Sequence, residues 1–313
     1  MKTDISFASE MEESVYQVLS DNGPLTGQDL NDVVHDVDPI ELWKVCYQSN
    51  LFRITSFSRY YLRYDITRGN QLRLSPSILR DFLTYSLVYL KSQQTGAVEK
   101  SARLANKHRA ISNRKIGFAR QAILSLDEPT RRWLNETACF FISGDLAYYL
   151  GHDVQRVHSQ LETIVNGSDI DIMIVYNTEA DPDLIKSAEQ QMLDYKYKAL
   201  KSPEIREEID FIFKPVSKLI TQLQYRDIHE MIASKILFES FYLYGRLDIY
   251  EYLSAQMSVL GTKDKIEADF NTALSERKQT IGRILNLEKP LVLSDDPETQ
   301  SLFFFSQERL EFQ

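Results

Sequence analysis

Residues 168–175 read Ser-Asp-Ile-Asp-Ile-Met-Ile-Val, and this run constrains the chain more than any other. Strict alternation predicts a β-strand, with Asp169 and Asp171 on one face and Ile170, Ile172 and Ile174 on the other. The isoleucine face demands a core. The acid face then carries two carboxylates about 7 Å apart, which repel unless something positive lies between them. A divalent cation is the usual answer, because hard Mg²⁺ takes one or two carboxylates together with phosphate oxygens. A second segment, Glu208-Ile209-Asp210-Phe211-Ile212-Phe213, sets Asp210 between apolar neighbours. On an adjacent strand it would complete a three-carboxylate cluster with Asp169 and Asp171.

The stretch before this run has the same character. Ala138-Cys139-Phe140-Phe141-Ile142-Ser143 is a short apolar strand ending at Gly144, and helix-like DLAYYLGH follows. The segment DVQRVHSQLETIV reads as an inserted helix or loop. The chain holds only 11 glycines in 313 residues, about half the usual share, which favours long helices. Three of them, Gly144, Gly151 and Gly167, fall in the 24 residues from Gly144 to Gly167, just before Asp169.

The order Ile142-Ser143-Gly144-Asp145-Leu146-Ala147, Gly151-His152, Ser168-Asp169-Ile170-Asp171 and Ile209-Asp210-Phe211 resembles the polymerase-beta-type nucleotidyltransferase superfamily. It is most similar to the bacterial branch of AbiEii-like toxin nucleotidyltransferases. Ala233-Ser234-Lys235-Ile236-Leu237 and Gly245-Arg246-Leu247-Asp248-Ile249-Tyr250 are similar to that branch's helical signature of a lysine followed by arginine–aspartate. The resemblance covers residues 138–255. It implies a helix-rich α+β fold with a small mixed-sheet core, and transfer of a nucleotide from an NTP with Mg²⁺ (or Mn²⁺). Asp169, Asp171 and Asp210 would be the metal ligands and, with Lys235, the catalytic residues. Ser143, Gly144, Ser168, Lys235 and Asp248 would bind the nucleotide, the glycine letting backbone N–H groups reach the phosphates. The family usually has a second Gly or a Ser after this glycine; here Asp145 stands there, a carboxylate that repels a triphosphate unless it binds metal or caps a helix.

Residues 10–65 read as a separate unit. Three short helices (EMEESVYQVLSDNGPL, GQDLNDVVHDV after an N-cap at Thr26, and IELWKVCYQSN after Asp38-Pro39) precede two β-rich segments, LFRITSF and RYYLRYDI, joined at Ser58-Arg59. Helices followed by a two-stranded ribbon resemble a winged helix. Its third helix carries one basic residue, Lys44, beside Glu41 and Trp43, so DNA binding would lack strong phosphate attraction and a protein-contact role stays open. Residues 75–135 read as helical from a Ser75-Pro76 start. From 100 to 120 stand Lys100, Arg103, Lys107, Arg109, Arg114, Lys115 and Arg120 without an acid, in a chain of net charge −9. That run is either a solvated charged face or a surface for a triphosphate or RNA backbone, and Arg131-Arg132 extends it.

The expected organisation is therefore a winged-helix-like module over 1–70 and a helical connector with the basic segment over 71–134. A nucleotidyltransferase core over 135–225, a helical C-terminal part over 226–290 and a docking tail over 291–313 follow. The helix IHEMIASKILFESFYLYG holds Lys235, and TKDKIEADFNTALSERKQTIGRILNL forms a charged helix over 262–287. Leu302–Phe305 would dock on the body, and Pro290–Pro297 reads as a loop. Cys46 and Cys139 have no metal or disulfide spacing, and His152 and His229 have no ligand partners at useful spacing. No apolar run approaches 18 residues and MKTDISFASEMEE lacks a signal core, which gives the expectation of a cytoplasmic protein without a membrane partner. Two functional readings follow. One is an Mg²⁺-dependent transferase acting on an RNA (tRNA-like) or protein hydroxyl, a toxin or phage-defence component with an antitoxin-like partner. The other is a non-catalytic nucleotide-binding regulator whose N-terminal module binds DNA or protein.

Overall fold

The computed structural model describes residues 6–34, 37–65, 71–158, 163–287, 301 and 303–305. The fold is α+β and helix-rich, with small sheets. Its internal contacts divide the chain into two units. One comprises residues 1–60, 74–107 and 274–313, the other 61–73 and 108–273.

The first unit begins with α1 (Glu10–Asn22), whose N-terminus is capped by Ser9 through a hydrogen bond from the Glu12 N–H. β1 (Leu25–Thr26) leads into α2 (Gly27–Val34), where the Thr26 hydroxyl accepts from the Asp29 N–H at 3.0 Å. α3 (Pro39–Gln48) is capped by Asp38, with proline at its first position. β2 (Phe52–Ser56) follows. Next in the chain come β3 (Tyr61–Asp65) and β4 (Gln71–Ser75), a two-stranded sheet of their own whose residues 61–73 belong to the second unit. α4 (Ile78–Tyr85) and β5 (Ser86–Leu90) come next. The three-stranded sheet runs in the order β1-β5-β2, all antiparallel. Val15, Leu19, Leu30, Ile40, Leu42, Trp43 and Phe82 form the core, closed by Phe303, whose ring meets Trp43 edge-on at 5.1 Å. Pro290–Pro297 and Leu302 lie outside the described residues.

Two expectations fail here. The segments 51–57 and 59–66 do not form a ribbon together: β2 pairs with β5 and β3 with β4. β5 is buried along its whole length at the centre of its sheet, so its backbone needs partners on both sides, and β2 supplies one of them. The run from Ser75 is not one helix either. Its helix starts at Ile78 behind a Ser77 cap that accepts from the Arg80 N–H, and Ser86–Leu90 is the strand just described. Sheet pairing overrides the helical pattern of SLVYL.

α5 (Gln94–Leu124) is a single long helix, followed by α6 (Glu128–Thr137). The second unit is built on β6 (Ala138–Ile142), β9 (Ile170–Tyr176) and β10 (Ile209–Pro215), with a hairpin of β7 (Gln155–Val157) and β8 (Ile164–Asn166) inserted between β6 and β9. That hairpin replaces the helix or loop expected over residues 153–165. α7 (Pro182–Lys201) crosses over between β9 and β10, which are parallel. α8 (Val216–Gln222), α9 (Ile228–Glu239), β11 (Phe241–Gly245), α10 (Leu247–Val259) and α11 (Thr262–Leu285) complete the described elements. The sheet order is β10-β9-β6-β11. β11 corrects the reading of residues 228–245 as one helix; Tyr242 and its neighbours pair with β6 instead. Ile170, Ile172 and Ile174 face a core with Phe140, Ile142, Ile116, Ala119, Met192 and Leu134.

Candidate active site

The acid face of β9 lies where the sequence pattern requires. Asp171 stands in register with Asp210 on the parallel neighbour β10, and Asp169 precedes the strand by one residue. All three are partly exposed, whereas Ile170 between Asp169 and Asp171 is buried. Burial pushes the Asp169 carboxyl up to about 8, Glu208, Asp171 and Asp210 adding to the rise while Arg156 opposes it. Asp171 is pushed up to about 6 by burial and then by Asp210 and Asp145, against the pull of Lys235 and Arg63. Burial is the leading cause at both residues, and the neighbouring carboxylates add to it.

The turn after β6 closes on this group. Gly144 has φ +67°, and a Cβ there would lie 2.5 Å from Asp171 Oδ2. The glycine therefore allows both a left-handed backbone and direct approach of the carboxylate. The Ser143 N–H donates to the Asp171 carbonyl at 3.1 Å, fastening the turn to β9. Gly144–Tyr148 is a 3-10 helix rather than an α-helix, ended by Tyr149 at φ 58°.

Asp145 is held by two hydroxyl donors, Tyr61 at 2.8 Å and Ser168 at 3.0 Å. The Tyr61 ring stacks on Tyr148 with centroids 4.8 Å apart, and the Lys235 ammonium sits 4.9 Å above the Tyr61 ring. Lys235 forms an ion pair with Glu239 at 2.7 Å, and Tyr148 also hydrogen-bonds Glu239. The lysine is therefore beside the acidic group and already has a partner. Ser168 spends its hydroxyl on Asp145 and receives the His152 N–H at 3.2 Å. Asp248 is exposed in the first turn of α10, where Arg246 donates to it at 2.6 Å.

Several neighbours were not legible as site residues. Arg156, from the inserted hairpin, pairs with Asp169 and with Glu208 at 2.8 Å; Lys196 on α7 pairs with Asp210. Among the described residues no three His, Cys, Asp or Glu side chains are gathered as a metal site. The donor chemistry nevertheless fits Mg²⁺, which is held by one or two carboxylates plus substrate phosphates. Asp171 and Asp210, carboxylates in register on neighbouring strands, meet that description.

The basic segment divides on the helix. Arg103, Lys107, Arg109 and Arg120 are exposed on α5, and Arg109 lies 5.3 Å from the Tyr149 ring. Arg114 pairs with Asp153, and Lys100 donates to the Pro24 carbonyl at 2.7 Å. Lys115 is fully buried, which corrects its assignment to a solvent-facing basic surface. Trp43 of α3 is likewise buried and Lys44 donates to the Leu287 carbonyl, so neither faces outward freely.

Comparison with protein-family models, with curated proteins and with solved structures finds no match.

Proposed function

We propose that the second unit is a metal-dependent nucleotidyltransferase. The observation that carries this reading is the register of Asp171 with Asp210 on parallel strands, with the Gly144 turn packed on the Asp171 carboxylate. Asp171, Asp210 and Asp169 would hold Mg²⁺ or Mn²⁺, which supplies charge neutralisation to the phosphates of an NTP. Gly144 would present its backbone N–H to those phosphates and Ser143 its hydroxyl, and Lys235 would add positive charge on the same side. Ser168 serves the site through Asp145. Asp248 would belong to the rim. The acceptor would be an RNA or protein hydroxyl; the exposed arginines and lysines of α5 favour RNA. A cytoplasmic toxin-like role with an antitoxin-like protein partner follows from the same reading. No helix among the described residues is long and apolar enough to cross a membrane.

In the first unit, the order α1-β1-α2-α3-β2 with β5 returning between β1 and β2 supports a winged-helix-like module. Trp43 on its third helix is spent on the core, and Lys44 is the helix's one basic residue, so weak phosphate attraction is what favours a protein-contact role over DNA.

A second reading, a nucleotide-binding regulator without turnover, rests on Asp145. A fixed carboxylate at the phosphate-facing turn weakens anion binding there. Incubation of the protein with each labelled NTP, Mg²⁺ and a cell extract, followed by RNase or protease digestion, separates the two. Labelled RNA or protein that disappears with Asp169→Ala/Asp171→Ala supports the transferase. Equal labelling by that variant would sink it, and nucleotide binding without labelling supports the regulator.

A further inference from the structure

Lys115 has no side-chain exposure, and it lies in the middle of α5. Its ammonium donates to the Asn166 carbonyl at 2.6 Å and to the Ser168 carbonyl at 2.9 Å, and it forms an ion pair with the equally buried Glu207. Each acceptor lies within a few residues of the start of an acid-bearing strand. Asn166 and Ser168 frame the turn before Asp169 and β9; Glu207 lies two residues before β10. One cation thus joins the starting points of the two strands whose register brings Asp171 opposite Asp210. The turn it grips is itself constrained, since Gly167 has φ +53° and a side chain there would run into the His152 carbonyl.

A lysine is an expensive way to fill a core. Removing its charge from water costs several kcal/mol unless the charge is paired and its three protons are bonded. Here two carbonyls and one carboxylate satisfy all three donors. An apolar residue would fill the same space, but it could not hold two backbone carbonyls.

We propose that Lys115, oriented by Glu207, is a positioning residue that sets the spacing of the Asp169, Asp171 and Asp210 carboxylates for a divalent cation. The inference rests on the metal-dependent reading of the site. Lys115 touches neither the carboxylates nor any reacting atom; it acts through the turn that carries them. Groups that orient metal ligands from behind typically contribute about 10- to 100-fold in metal affinity.

The test is Mn²⁺ binding, followed by electron paramagnetic resonance with α,β-methylene-ATP present, beside thermal unfolding of each full-length variant. Lys115→Met is expected to weaken Mn²⁺ binding about 10-fold or more. It also strands Glu207, so the double variant Lys115→Met/Glu207→Leu is the decisive one, because replacing both members of a buried pair by apolar groups often preserves stability. If the pair only stabilises the fold, the double variant recovers both its melting temperature and its Mn²⁺ affinity. Positioning predicts recovery of the melting temperature alone. Glu207→Gln, the mildest change, is expected to weaken Mn²⁺ binding about threefold, a small fraction of the outer-shell range. Wild-type affinity in the double variant and in Glu207→Gln would overturn the proposal while leaving the site reading intact. Equal Mn²⁺ binding by wild type and Asp171→Asn would overturn the site reading, and the proposal with it.

Discussion

Gly144 and Asp171 are in contact: the carboxylate of one occupies the space where the other would carry a side chain. Nothing in the local sequence of either residue dictates this. The β6–β9 pairing brings them together, with Ile142, two residues before Gly144, opposite Ile172, one residue after Asp171. Gly144→Ala should therefore fail twice. It strains a left-handed backbone by about 1–2 kcal/mol, and it displaces the Asp171 carboxylate. The expected outcome is a modest fall in melting temperature with a much larger loss of Mn²⁺ affinity. A loss of stability with unchanged Mn²⁺ binding would show that the turn does not shape the site.

Asp145 presents the opposite case, a charge whose removal should help. Tyr61 and Ser168 hold it beside the glycine turn, and its field contributes to the raised Asp171. Asp145→Asn keeps the size and an acceptor for one hydroxyl while removing the repulsion of phosphate. Nucleotide affinity, measured with a fluorescent ATP analogue and Mg²⁺, is expected to rise several-fold. Weaker or unchanged binding would count against phosphates approaching this turn.

Lys214 gives the chain an alkaline signature. It is buried on β10, donates to Gln222 at 2.6 Å, and burial, then Lys218, lowers it to about 8. A lysine depressed in the folded state loses its proton at a lower pH than in the unfolded chain. The unfolded state then binds more protons between about 8 and the ordinary lysine value of about 10.4, so this group makes stability rise with pH across that window. Below the window both states are protonated and the full burial penalty applies. Urea midpoints at pH 7.5 and pH 9.5 should show this rise relative to Lys214→Met, which lacks the group. Identical pH dependence in the two proteins would exclude it.

Asp81 anchors the first unit. The carboxylate receives the hydroxyls of Ser56 at 2.7 Å, Ser58 at 2.7 Å and Tyr60 at 2.6 Å. It also pairs with Arg277 at 3.3 Å, and that guanidinium lies 4.6 Å from the Tyr60 ring. Asp81→Ala leaves a buried cation and three hydroxyls without their acceptor, and about 3–5 kcal/mol of stability should be lost. Denaturant unfolding of the variant measures it; a loss under about 1 kcal/mol would mean that water replaces the carboxylate at little cost.

The acid-bearing strands were legible because period-two alternation is local. A strand that buries one face must place Asp169 and Asp171 together, whatever it pairs with. β5 and β11 were hidden for the complementary reason. β5 follows α4 directly and only Ser240 separates β11 from α9, and distant partners (Phe52–Ser56 and Cys139–Ile142) make strands of them. Lys115 was misread because a run of basic residues was weighed by its charge rather than its phase. Ile111, Lys115, Ala119 and Ala122 recur at helical spacing and are all buried, so the lysine stands in the apolar row of α5. That periodicity was the available signal. Arg156 and Lys196 had none, since their acidic partners lie 13 and 14 residues away on other elements.

The sheet order also sets a schedule for synthesis. β6 and β9 can pair as soon as residue 176 has left the ribosome, but β10 and Glu207 follow only after the whole of α7. Until then the Lys115 ammonium has two carbonyls and no counter-charge, and Asp171 has no carboxylate opposite it. The third carboxylate thus joins the site only after β6 and β9 are in place, and the site is closed by a contact spanning 92 residues. Non-local closure of that kind is slow. A growing chain therefore carries its glycine turn and its first two acids well before it can bring a third beside them.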